Sequence, residues 1–302
     1  MAVPDGTGLP EFCRGLCDDA AVFPPGLAPL PDAVSHHLRY RGSPFAELVG
    51  PLILPVSALG ELSGHLESGH LDPVHLNSRH LESGHLDVTI TAPAGPATLP
   101  AAFAAAGELL VTLHGVEVAM PSEMSPAEFF TTLESACAGR EPETVFVEIP
   151  RDDRRPESIA HCARGGYRAK FRTGGVKAEL YPDETELASA IRAVVDAGVP
   201  FKATAGLHHA IRNTDPETGF EQHGFLNLLL ATEAAAAGAG ADQVWALLAE
   251  RDPDVIAAGV SAVDGPAVRG LFRSFGTCSV LEPLAELIEL GLVPSTMLGA
   301  AE

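Results

Sequence analysis

Basic residues are scarce in this chain. It has 19 Lys+Arg against 40 Asp+Glu in 302 residues, a formal charge of −21. That balance argues against a nucleic-acid or anionic-membrane surface, since both need a basic footprint. Long apolar runs are missing too: none reaches 18 residues without Gly, Pro or a charge, so no membrane-spanning helix is expected. The opening Met-Ala-Val-Pro-Asp-Gly-Thr-Gly has no basic or apolar segment, so no secretion signal is expected. The cysteines are Cys13, Cys17, Cys137, Cys162 and Cys278. An odd, scattered set reads as reduced thiols, and the expected compartment is the cytoplasm. Cys13 and Cys17 could share a helix face, but no second pair completes a zinc set.

What is present is an alternation of strand and helix patterns. Strand candidates are Leu52–Val56, Val88–Ala92, Val116–Met120, Thr144–Ile149, Tyr167–Arg172, Pro200–Thr204, Val255–Val260 and Leu271–Ser279. Helix candidates fall at 57–62, 96–107, 125–138, 155–164, 183–197, 221–238 and 282–291. Alternating β and α argues for a parallel sheet. Eight strands suggest a (β/α)8 TIM-like barrel formed as a single α/β domain over 1–302, with an open doubly wound parallel sheet as the alternative. Residues 1–48 read as an N-terminal extension packed on the barrel. A His-Leu pentad repeat fills 63–87, with histidines at 65, 70, 75, 80 and 85. Period five suits neither helix nor strand. Five copies are too few for a self-standing solenoid, so the repeat reads as a dispensable loop outside the chemistry.

The cations that do occur are placed selectively. Eight basic residues fall within 151–177, a local positive field that suits a small anion. Lys170 and Arg172 lie two apart near a strand end, so both face one side, and Lys202 ends the next strand. In α/β proteins ligands bind at the carboxyl ends of strands. Glu117 and Glu148 end two earlier strands, and His208, His209 and His223 follow Lys202. A lysine among apolar neighbours and near other cations has a depressed pKa, so its neutral amine can attack a carbonyl. Lys202 is therefore the expected nucleophile, with Lys170 beside it and Glu148 or His209 as proton shuttle. Arg172, Gly174, Gly175, His208, His223, Gly276, Thr277 and Ser279 are the expected substrate-binding set. The two glycine-containing loops are candidates for a phosphate held on backbone N–H groups. No cofactor is required by this chemistry. A divalent metal held by Glu117, Glu148, His209 and His223 is the rival, and non-catalytic binding of a small anion is a third reading.

The run Phe201-Lys202-Ala203-Thr204-Ala205-Gly206 resembles the Schiff-base strand of deoxyribose-phosphate aldolases, with one residue fewer before the lysine and Ala203 ahead of the threonine. The resemblance implies a barrel and a class I aldolase or lyase acting on an anionic, carbonyl-bearing, optionally phosphorylated small molecule. Most of the chain outside the repeat also resembles a family of bacterial proteins without an assigned activity. The carrying stretches are residues 18–26, 170–175, 201–209, 223–227 and 275–279. That likeness implies a shared domain and supplies no function.

Overall fold

Eight parallel strands pair side to side and close on themselves. A computed structural model describes residues 8–67, 86–139 and 144–298. The strands are β1 (Cys17–Asp19), β2 (Val49–Pro55), β3 (Leu86–Ala92), β4 (Val111–Ala119), β5 (Thr144–Glu148), β6 (Arg168–Arg172), β7 (Phe201–Thr204) and β8 (Phe272–Thr277). Each neighbours the next, and β1 closes the ring between β8 and β2. The fold is a (β/α)8 barrel, and the open-sheet alternative is excluded by that closure.

Composition makes these strands. Val, Ile and Phe recur along them, and branched side chains stiff at χ1 favour extended backbone. Alternation then divides each strand between two faces. In β7, Phe201 packs with Phe171 and Phe272, ring centroids 5.4 and 5.3 Å away, while Lys202 and Thr204 line the barrel cavity. In β1, Asp18 faces inward, whereas Asp19 meets His37 of the first helix at 3.1 Å.

The helices are α1 (Leu30–Arg41), α2 (Leu59–Glu67), α3 (Leu99–Ala106), α4 (Pro126–Cys137), α5 (Arg155–Gly165), α6 (Glu184–Asp196), α7 (Phe225–Ala236), α8 (Ala241–Ala249), α9 (Pro253–Ser261), α10 (Gly265–Leu271) and α11 (Leu281–Glu289). Their starts obey local rules. Ser125 and Glu128 form a reciprocal capping box on α4, with Pro126 at its first turn. Asp183 accepts the Glu186 N–H at 2.8 Å to start α6.

Two expectations are corrected. Residues 1–48 are not an extension laid on a finished barrel. They contain β1, which hydrogen-bonds to β8 and β2, and the loop from 20 to 29 lines the cavity. A three-residue strand is too short for alternation to show. The second correction is Val255–Val260, which is helical within α9. Asp252 accepts the N–H groups of Asp254 and Val255, and Pro253 opens the helix, so an N-cap overrides the apolar run. The pentad repeat lies mainly outside the described residues. The described elements on either side of it are α2 and β3.

Candidate functional site

The carboxyl ends of the strands surround a cavity of about 670 Å³. Its floor is a chain of alternating charge carried by five strands. The Lys202 ammonium lies between the Asp18 and Glu117 carboxylates, 2.5 Å from Glu117 Oε1. The other Glu117 oxygen is 2.7 Å from Lys170 Nζ. Lys170 also meets Glu148 Oε2 at 3.1 Å, and Glu148 Oε1 accepts from Arg172 Nε at 3.1 Å. Ser274 Oγ donates to Asp18 at 2.7 Å, and the Phe146 ring lies 5.2 Å from Lys202 Nζ. The chain contains three lysines, Lys170, Lys177 and Lys202, and two of them stand here.

Strand register creates this arrangement. Lys170 and Lys202 are direct partners between β6 and β7, and Glu148 is paired with Lys170 across β5 and β6. Like charges directly opposed would repel. Glu117 reaches across from β4 and takes one ammonium on each oxygen. Lys202 is 1% exposed, Glu117 and Asp18 3%, and Lys170 6%. Charges this deep survive only when paired and hydrogen-bonded.

Burial and pairing oppose each other in setting the pKa values. Burial alone would lower Lys202, but the carboxylates of Asp18 and Glu117 outweigh it and raise the pKa. Lys170 is raised on the same balance by Glu117 and Glu148. Burial pushes Glu117 up, and the two ammonium groups overcome it and hold its carboxyl at about 2. Asp18 alone among the floor carboxylates moves up, because burial exceeds the pull of Lys202 and Ser274. The depressed pKa expected of Lys202 is therefore wrong. Its neighbouring cations are real, but two carboxylates stand closer, and both lysines are ammonium ions at rest.

The other sequence candidates divide. Glu148, Arg172, Gly175, His208 and Gly276 line the cavity with the two lysines. His209 is not among the lining residues. Its ring sits 2.5 Å from Glu286 of α11, so the structure does not bring it together with Lys202 as the sequence expected of the proton shuttle. His223 is buried, with Nε2 2.8 Å from the Pro182 carbonyl and Nδ1 3.3 Å from Arg212, and burial pushes its imidazole down to about 4. Gly174 serves packing: a Cβ there would fall 2.8 Å from Gly206 Cα and 2.7 Å from the Tyr181 ring. Thr277 Oγ1 donates to the Ser279 carbonyl at 3.0 Å, and Ser279 Oγ accepts from Glu282 N at 3.4 Å. Both side chains take part in the local turn, and neither lines the cavity. The expected metal set is likewise dispersed, since His209 and His223 are held away from Glu117 and Glu148. Among the described residues no group of three or more His, Cys, Asp or Glu is arranged to hold a metal.

Asp18 and Ser274 escaped the sequence reading of the site, and Glu117 entered it only as a metal ligand. The Asp18-Asp19 pair after apolar Leu16-Cys17 is the signal that was there: acids at the end of a buried segment, on opposite faces.

No family model matches the chain, and no curated protein matches it. Solved structures similar to it include dihydrodipicolinate synthase from Oceanobacillus iheyensis, 14% identical over 93% of this chain and 96% of that one, with a TM-score of 0.36. Another is nitroalkane oxidase from Streptomyces ansochromogenes, 15% identical over 91% of this chain and 67% of that one, with a TM-score of 0.30. Neither likeness bears on activity, and the barrel rests on its own strand pairing.

Proposed function

We propose that the protein is a lyase of the aldolase type, acting on a small anionic carbonyl compound through an imine on Lys202. One observation carries the reading: a deeply buried lysine on a cavity floor, beside both a second ammonium and a carboxyl of raised pKa. Lys202 passes a proton to Asp18 as substrate enters, and its amine attacks the carbonyl carbon. A C–N bond forms while the carbonyl π pair takes a proton from Lys170. Lys170 takes back a proton from the nitrogen, and Asp18 gives its proton to the hydroxyl that leaves as water. The resulting iminium draws the electrons of the bond between its α and β carbons as that bond breaks. The β carbon bears a hydroxyl whose proton passes to Asp18, so that this carbon departs as the first carbonyl fragment. Asp18 returns that proton to the enamine carbon, and hydrolysis of the imine frees the second product and Lys202. Glu117 stays ionised and holds both lysines in place. Arg172, its Nε occupied by Glu148, turns its outer guanidinium edge to the substrate anion.

Borohydride reduction in the presence of pyruvate tests this. The expected product is a stable adduct on Lys202, located by peptide mass, and lost in Lys202→Met. An adduct on Lys170 or Lys177 assigns the amine wrongly. A second reading draws on the raised lysine pKa values: two permanent ammonium ions would polarise a bound carbonyl oxygen without attacking it. Saturable oxo-acid binding with no reducible adduct is the signature of that reading.

A further inference from the structure

The cavity is charged on its floor and apolar above it. Its wall is built by Phe23, Pro24 and Pro25 of the β1–α1 loop, Val176 and Leu180 of the β6–α6 loop, and Phe220. Val176 at the rim is 74% exposed. The lining cations are Lys170, Arg172 and Lys202, all at the strand ends. The segment between β7 and α7 adds two acids, Asp215 and Glu217, to the lining. Among the described lining residues no cation stands beyond the strand ends, so a second anionic group on the ligand would find no partner of opposite charge there and would add to the charge of these acids. A triose or tetrose phosphate would also leave much of the apolar wall uncovered.

Resting on the proposed lysine chemistry, we infer that the substrate is a monoanionic 2-oxo acid that carries the 4-hydroxyl needed for cleavage and is otherwise apolar, with an aryl or longer alkyl tail, and is not a sugar phosphate. The carboxylate and carbonyl lie on the floor, against Arg172 and the two lysines. The tail lies along Phe23, Leu180 and Phe220, where burial of apolar surface supplies the affinity that a second anion supplies elsewhere.

Calorimetric titration of the full chain with straight-chain 2-oxo acids, from pyruvate to 2-oxooctanoate, reads this directly. Each buried methylene should tighten binding about fourfold. Phenylpyruvate should bind at least tenfold more tightly than pyruvate or erythrose 4-phosphate. In Val176→Asp, a change on an exposed loop position, the gain per methylene should fall while the melting temperature stays within about 2 °C. A flat series, tighter binding of the sugar phosphate, or no binding of any oxo acid overturns the inference. Borohydride trapping in parallel separates the two claims. Chain-length dependence without an adduct on Lys202 leaves the substrate class standing and removes the imine. An adduct formed equally with pyruvate and erythrose 4-phosphate does the reverse.

Discussion

Two clusters of titratable residues crowd the same end of the barrel, and they differ in what holds them. Asp18, Glu117, Glu148, Lys170 and Lys202 spring from strands and converge on one another at the cavity floor. His208, His209 and His223 come from the segment after β7, and each is tied to a different neighbour. His209 goes to Glu286, His223 to Pro182 and Arg212, and His208 Nδ1 lies 3.6 Å from both Glu282 and Cys278. A strand points every second side chain inward, so register alone gathers its polar groups. A loop imposes no such period, and its polar groups pair wherever the nearest helix offers a partner.

The largest contrast should appear in stability. Glu117→Ala leaves two buried ammonium ions sharing what remains of their counter-charge and should cost about 3–5 kcal/mol in urea unfolding. A cost below about 1 kcal/mol would erase the distinction between floor and loop. The next test uses pH. His223 is held neutral with a pKa of about 4, whereas the unfolded imidazole titrates near 6.5. The unfolded chain therefore binds the extra proton between those values. The stability is fully present above about 6.5 and is lost as pH falls toward 4, by up to about 3 kcal/mol. His223→Gln should flatten that part of the stability–pH curve, and an unchanged slope would assign the acid sensitivity elsewhere.

A smaller effect is expected at Arg172, whose side chain is 38% exposed. Arg172→Ala should weaken oxo-acid binding about tenfold, the loss of one charge-assisted contact, with little change in melting temperature. Equal affinity in the variant would move the anion subsite off the floor. The smallest effect belongs to His209. Its pair with Glu286 is 43% exposed on the histidine side, so His209→Ala should cost under about 1 kcal/mol and leave borohydride trapping intact. Loss of trapping would return it to the chemistry.

Seven of the eight barrel strands are legible in the sequence, because each is a run of four or more apolar-rich residues ended by a turn. β1 is not, since Cys17–Asp19 spans too few residues to display a period, and an unrelated apolar run in α9 filled the count to eight. The site follows the same division. Lys170, Arg172 and Lys202 stand out as rare cations at strand ends. Asp18 belongs to the illegible strand and was lost with it. The protonation of Lys202 could not be read either, because its nearest partners, Asp18 and Glu117, lie 184 and 85 positions away. Gly174 misled for a physical reason: a glycine that lets two loops touch has the same appearance in sequence as one that receives a phosphate.

The ring closes between its first strand and its last, and this sets an order of events during synthesis. Chains emerge from their amino ends. Asp18 is made early, while Ser274, its hydroxyl donor, lies 256 positions later. Until β8 has left the ribosome, Asp18 lacks its hydroxyl donor, the ring stays open between β7 and β1, and Lys202 has no closed floor to sit in. Such remote pairings make a fold slow to reach. A nascent chain halted before residue 272 would therefore contain both lysines and all three floor carboxylates without the enclosed environment that makes them a site.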